Sequence, residues 1–276
     1  MKIVNLIIGQ KRNLMKNLKS ISNCQIKKFT NINFFIFWED DFLSNEEKKF
    51  LKKEYKHTYF KSVKVKKFKD EINSILKKNK SFPKNMKNTI LVNFLQYSLI
   101  QFAFNYAHKK LKYKNSKRYF WQRIRSDIYA KDKSLDTLTK KTLYLPGTVH
   151  GYGIIDFHAL GTFEEFKVYS DTIVTLKNLY NANIFLPPEI VLRIHLDKFK
   201  IKCLFTEKMH TALFSKSNKS KIRTFYQLKG NKYLPNSFSN NIYEESFVFK
   251  DNLLLRKIYY KLYNYVVKTN LIFKNW

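Results

Sequence analysis

Cysteine is nearly missing from this chain of 276 residues: only Cys24 and Cys203 occur. They lie far apart, match no metal spacing and indicate no disulfide framework, so a reducing cytoplasm is the expected setting. Glycine is also scarce, with six residues. Neither G-x-G-x-x-G nor G-x-x-x-x-G-K is present, so the dinucleotide and P-loop readings lack their required parts. H-E-x-x-H is absent, His150 and His158 do not make a zinc spacing, and no serine elbow appears, which leaves hydrolase readings without a nucleophile. Long apolar runs are missing too. "MKIVNLIIG" has the length of a strand and is followed at once by "QKRN", so no secretory signal is expected. Residues 88–108 are free of charge, but Asn93, Gln96, Gln101 and Asn105 interrupt them. They read as a mostly buried helix, not a membrane span.

Acidic residues are the last shortage: 21 against 53 basic ones, a net charge of +32. The basic residues are spread through nearly every segment, and the Lys, Asn, Ile, Phe and Tyr content is what AT-rich codons encode. The charge still draws the protein toward polyanions, so nucleic acid, an anionic membrane surface and a phosphorylated substrate all stay open as partners. An apolar fraction of 44% and an aromatic fraction of 17% argue for a packed globular chain and against disorder. The length suits one large domain, or one domain with an appendage.

Along the chain, "KIVNLIIGQ" predicts a first strand over residues 2–8, ending at Gly9. Leu14, Leu18 and Ile21 then recur at helical spacing. "NINFFIFWEDD" predicts a second strand with Glu39, Asp40 and Asp41 at its C-terminal end. Ser44 caps a helix, and "YFKSVKVKKF", residues 59–68, alternates as a half-buried strand. A long helix over residues 85–112 leads into "RYFWQRIRSDIYA", residues 118–130. This strand–helix alternation predicts an α/β sheet with much parallel character. Four of the six glycines then fall within residues 143–171, which marks turns around a site or close backbone approaches. "LPPEIVLRIHLDKF" opens a helix with proline in its first turn. "SKSNKSK", residues 215–221, is the linker candidate, and "DNLLLRKIYYKLYNYVVK" beyond it is an amphipathic helix.

The stretch "RYFWQRIRSDIYA" raises a charge problem. Strand side chains alternate, so Trp121, Arg123, Arg125 and Asp127 share one face while Phe120, Ile124 and Ile128 take the other. An internal ion pair accounts for Asp127 and one arginine. The second arginine is then unexplained, because a buried charge is costly unless paired, and a cleft that receives an anion accounts for both. In an open α/β sheet ligands bind beyond the carboxyl ends of the strands. Gly9, Gln10 and Arg12 leave the first strand there, Glu39 and Asp40 the second, and Arg125 with Asp127 the fourth. A glycine at that exit lets backbone N–H groups approach a phosphate.

Taken in order, "LIIGQKRNLMKNLKSI", "NINFFIFWED", "YFWQRIRSDIYA", "GIIDFHALGTFEEFKVYSD" and "PPEIVLRIHL" resemble the surface-polysaccharide glycosyltransferases of the GT-A fold, including lipopolysaccharide-synthesis proteins of the WavE type. The likeness covers residues 3–205. It implies a GT-A-like, Rossmann-like mixed sheet flanked by helices, and a nucleotide-sugar donor with a glycan or lipid-linked acceptor. Gly9, Gln10, Arg12, Arg123 and Arg125 are then the donor-binding candidates, since a guanidinium forks onto a phosphate with two hydrogen bonds. Asp127 is the candidate ligand for Mg²⁺ or Mn²⁺, although the usual D-x-D pair is here Arg125-Ser126-Asp127. Asp156 holds the first position of D-x-x-x-x-G, with Gly161 closing it, and is the candidate base for an acceptor hydroxyl; a turn-capping role is the alternative. Glu189 is a candidate for hydroxyl contacts or an ordinary first-turn acid. His158 reads as a packed strand residue.

The expected organisation is a transferase domain over residues 1–214, a linker at 215–221 and a basic amphipathic segment over 222–276. That last helix either packs on the main domain or lies on an anionic inner leaflet as a peripheral attachment. Two other readings stay open: a nucleic-acid-binding protein that uses lysines and exposed aromatics, and a glycosyltransferase-like fold that serves only as an assembly partner.

Overall fold

A computed structural model describes residues 1–11, 14–78, 87–113, 116–130, 135, 138–146, 148–150, 153–154, 157–206, 209, 211–214, 222–223, 226–227 and 232–233. The chain opens with β1 (Lys2–Ile8), a short 3₁₀ turn (Met15–Asn17), α1 (Leu18–Cys24), β2 (Thr30–Trp38), α2 (Asn45–Glu54) and β3 (Thr58–Val63). Next come α3 (Lys66–Lys78), α4 (Lys87–Lys110), β4 (Phe120–Arg125) and β5 (Ile128–Ala130). Then follow β6 (Leu143–Pro146), β7 (Thr148–His150), β8 (Gly153–Ile154) and β9 (His158–Thr162). Three helices, α5 (Phe163–Ser170), α6 (Thr172–Asn181) and α7 (Pro188–Lys198), precede β10 (Cys203–Thr206) and β11 (Thr211–Phe214). Three two-residue strands close the described chain: β12 (Ile222–Arg223), β13 (Tyr226–Gln227) and β14 (Lys232–Tyr233).

The main sheet is mixed, in the order β14-β10-β6-β9-β4-β1-β2-β3. Strands β3, β2, β1 and β4 run parallel to one another, as do β6 and β10, while β9 is antiparallel to both of its neighbours. This is the expected class: an α/β mixed sheet flanked by helices. Helices cover both faces, so the central strands are apolar on both sides and read as continuous hydrophobic runs. Val4, Leu6 and Ile8 pack with α3 to α7 in the largest cluster, while Ile7, Phe35 and Phe37 pack under α1 and α2. On that second face a row of buried amides, Asn33, Asn5 and Gln122, crosses three strands in register. Asn5 Nδ2 donates to Asn33 Oδ1 at 3.0 Å and Gln122 Nε2 to the Cys24 carbonyl at 2.7 Å. The row separates the apolar cluster around Ile7 from the one around Ile3 and Phe120.

Most local expectations match. Ser44 closes a capping box with Glu47, worth about 1 kcal/mol to α2. Pro188 sits in the first turn of α7. Among the described residues no helix is long and apolar enough to cross a membrane. One boundary differs: β3 stops at Val63, and Lys66 onward is helical. In α3, Ile72 and Ile75 are both buried, so a helical stripe overrides the alternation that "VKVKKF" shows locally. Beyond residue 221, β12 pairs with β11, β13 with β7 and β14 with β10, so the chain returns to the strands of the main body. The predicted linker at 215–221 and the amphipathic helix over 251–268 lie outside the described residues.

Candidate functional site

The chain passes from β1 outward to β2 and β3, then crosses back through α4 to lay β4 on the other side of β1. The order of strands therefore reverses between β1 and β4, and a crevice opens beyond the carboxyl ends at such a switch point. Here it is a cavity of about 180 Å³. The strand ends supply Gly9, Gln10, Trp38, Arg123 and Arg125, and α4 supplies Val92, Leu95 and Gln96 as the facing wall.

Gly9 shapes the floor. Its φ is +134°, and a β-carbon there would stand 2.9 Å from Ser126 Oγ. The turn after β4 presses against the exit of β1: Ser126 N donates to the Ile8 carbonyl at 3.1 Å, and Ser126 Oγ donates to the Gln10 carbonyl at 2.7 Å. Only glycine meets both the backbone conformation and the close approach. Gly9→Ala is expected to lower stability by about 1–3 kcal/mol and to disturb the crevice, since both the conformation and the contact become strained. A urea titration checks this, and an unchanged midpoint overturns it. Downstream, the Lys11 amide donates to Asp41 Oδ2 at 2.6 Å, which ties the exit of β1 to the end of β2.

The two arginines have different environments. Arg125 Nε donates to Asp127 Oδ1 at 2.7 Å and Nη2 to Oδ2 at 3.2 Å, a forked pair. Its guanidinium lies over the Phe157 ring, 5.0 Å from the centroid. The Arg125 side chain keeps 18% of its surface exposed, against 1% for its partner Asp127. It is a cation held in place and still reachable. Arg123 borders the same cavity but is 1% exposed, and its Nη1 donates to Tyr169 Oη on α5 at 2.9 Å.

These facts correct the reading of this strand in two respects. The face bearing Trp121 and Arg123 is not an open charged row: Trp121 is fully buried in the largest apolar cluster. Asp127 does not continue that row either. It lies in the turn between β4 and β5, where it folds back onto Arg125. The ion-pair account therefore holds for Arg125 and Asp127.

Of the remaining candidates, Gln10 is exposed at the crevice. Arg12 and Asp156 lie outside the described residues. Gly161 lies far from the crevice. Because β9 runs antiparallel, Gly161 reaches the opposite pole of the sheet, where a β-carbon would meet Leu143 at 3.2 Å. Its role is close packing. Glu189 sits half-buried in the first turn of α7 and is not among the residues lining the crevice. Glu39 and Asp40 are exposed on a 3₁₀ turn after β2. Sequence reasoning missed Trp38, Phe157 and the α4 wall; Gln96, one of the polar interruptions in the charge-free stretch, was the available signal.

His158 on β9 is buried next to Gln122, and burial followed by the nearby Arg123 charge pushes its pKa down to about 3. It is a neutral packed residue, as its position in the strand suggested. Both thiols are buried, and burial raises the Cys24 pKa to about 12, so neither is a nucleophile.

Among the described residues no group of three or more His, Cys, Asp or Glu side chains is placed to hold a metal ion. The carboxylate of Asp127 faces Arg125 with both oxygens, so the described residues do not fit a divalent cation. The large aromatics are core: Trp121, Phe104, Phe163 and Phe166 pack on one another, and the exposed Phe50, Tyr113 and Phe199 are scattered.

No protein-family model matches the chain, and the curated proteins give no significant match. Among solved structures the chain is similar to the apo crystal structure of mouse xyloside xylosyltransferase 1, at 12% identity and a TM-score of 0.32. That likeness covers 72% of this chain and 76% of the other.

Proposed function

We propose that this protein is a glycosyltransferase that moves a sugar from a nucleotide-diphosphate donor to a glycan or lipid-linked acceptor in surface-polysaccharide synthesis. The observation that carries the reading is the switch-point crevice, which gathers Gly9, Gln10 and an accessible, oriented Arg125. Donor transfer needs a cation where negative charge grows as the nucleoside diphosphate leaves the anomeric carbon. A guanidinium already fixed by Asp127 and Phe157 meets that charge with little reorganisation. Trp38, Val92 and Leu95 give the crevice an apolar wall for a base or a sugar ring, and Gln10 and Gln96 offer amides to its hydroxyl groups. Asp156 is the residue we assign to accept the proton of the attacking acceptor hydroxyl. The acceptor oxygen forms the new glycosidic bond as the donor C–O bond breaks, and the diphosphate departs with the electron pair. No carboxylate cluster among the described residues is placed for a divalent cation, so the diphosphate charge is assigned to Arg125.

A panel of nucleotide sugars in thermal-shift assays, with and without Mn²⁺, tests this. At least one donor should raise the melting temperature and be turned over with release of its nucleoside diphosphate. A panel with no shift sinks the proposal. Asp127→Asn separates two roles for that residue. If Asp127 orients Arg125, the variant weakens diphosphate binding about 3- to 10-fold whether or not Mn²⁺ is present, the scale of one ordinary hydrogen bond of about 0.5–1.5 kcal/mol net. A loss confined to the Mn²⁺-dependent part would make Asp127 a metal ligand instead.

A further inference from the structure

The opposite pole of the sheet carries a second cavity that the transfer reaction leaves unused. It has a volume of about 660 Å³ and lies at the N-terminal ends of β1, β4, β6 and β10, beside the start of α5. Its rim bears Lys117, Arg118, Lys140, Lys141, Lys200 and Lys202. Two acids, Glu164 and Glu165, face these six cations. Glu165 is buried and accepts a hydrogen bond from the Thr162 hydroxyl, which leaves Glu164 as the exposed acid. Among the described residues, Lys117, Arg118, Lys140, Lys141 and Lys200 take part in no ion pair. The floor is different in kind: Phe120 is buried there, with Tyr119 and Ile201 half-buried beside it.

We propose that this cleft is a second binding site, for an organic phosphate. Cations collected around one concave space repel each other, and the low-dielectric floor beneath strengthens their common field. A phosphate at the rim relieves that repulsion, and a ring or hydrocarbon attached to it covers the half-buried Tyr119 and Ile201. The volume lies within the range of small-molecule sites. The cleft and the crevice are separated by the length of β1, roughly 20 Å at strand rise, so a single donor molecule does not bridge them. The site thus stands independently of the transferase reading. The same chemistry is offered by a soluble aryl or alkyl phosphate and by the headgroup of an anionic phospholipid.

The test uses two probes at low salt: naphthyl phosphate by calorimetry, and phosphatidylcholine vesicles with and without phosphatidic acid by sedimentation. Both are measured with Arg125→Ala protein as well, to remove any contribution from the crevice. Reversing two exposed rim charges, Arg118→Glu with Lys140→Glu, should weaken binding roughly tenfold or more, as expected for several charges near an anionic group. Lys52→Glu with Lys53→Glu on exposed positions of α2 alters the net charge equally and should change it less than about twofold. Binding of naphthyl phosphate identifies a soluble ligand, and binding of the phosphatidic acid vesicles alone identifies a lipid headgroup. Equal losses in the two double variants would mean diffuse attraction, and would overturn the site. So would the absence of binding to either probe. In unaltered protein, bound probe should shield Lys140 and Lys141 from an amine-reactive label, read by mass spectrometry, and leave Lys52 and Lys53 labelled. Uniform labelling refutes the proposal without any variant.

Discussion

Arg125→Ala should leave the protein folded and weaken its hold on a nucleoside diphosphate by roughly 10- to 100-fold, whereas Arg123→Ala should unfold it. The difference comes from placement. Arg125 is 18% exposed beside the crevice, and its aliphatic stem covers little of the core. A hydrogen bond from a charged donor to a phosphate contributes about 1.5–3 kcal/mol, which sets the expected loss of affinity. Asp127 is left buried without its forked partner in that variant, so some stability is lost as well. The double variant Arg125→Ala, Asp127→Asn removes that complication and should recover the fold without recovering the affinity. Arg123 is 1% exposed under α5 and bonded to Tyr169, so truncating it opens a large polar cavity inside the main cluster. A cost of about 3–5 kcal/mol is expected, the scale of a large buried side chain cut back to alanine. Urea titrations and diphosphate calorimetry on the same preparations separate the two effects. A folded Arg123→Ala protein with lost affinity would reverse the assignment of the two arginines.

Acid should destabilise this protein well above the range in which carboxylates titrate. His158 is held near 3 by burial and by the charge of Arg123, and His195 near 4 by burial against α5, where its Nε2 meets the Val168 carbonyl at 2.7 Å and its Nδ1 the Thr175 hydroxyl at 2.8 Å. In the unfolded chain both titrate near 6.5. Both folded values lie below the unfolded one, so the unfolded state binds more protons between them, and stability rises with pH across that window. Their contribution is complete above about pH 6.5. It falls with acid at up to about 1.4 kcal/mol per pH unit for each group, until the folded values near 4 and 3 are reached. Between pH 6.5 and 5 the pair should cost about 3 kcal/mol. Urea midpoints across that interval measure it. His195→Gln, whose amide can still donate to Val168, should halve the slope. A midpoint that stays constant from pH 6.5 to 5 would show that the imidazoles charge without unfolding.

How much of this was legible beforehand depends on the distance over which each feature is decided. The first strand, the capped helix at Ser44, the long helix α4 and the proline-opened α7 were all readable, because their signals are periodicity and end-capping within a few residues. Gly9 was readable as a special position, since a lone glycine at a strand exit signals unusual backbone in a chain with so few. The boundary at Val63 was not, because "VKVKKF" fits either period and burial against α4 settled the choice.

The alternating pattern of RYFWQRIRSDIYA determined that Trp121, Arg123 and Arg125 leave β4 on one side, and composition determined a packed, strongly basic globule. The tertiary structure decided everything about what those side chains meet. Arg123 and Arg125 are two residues apart with identical chemistry, yet α5 closes over one and the end of the strand opens the other to solvent. Asp127 turns back because β4 ends at Arg125, where Ser126 meets Gln10 across 116 positions of sequence. Spacing along a chain records which face a residue takes. The partner on that face is chosen by segments that come together only when the sheet is complete.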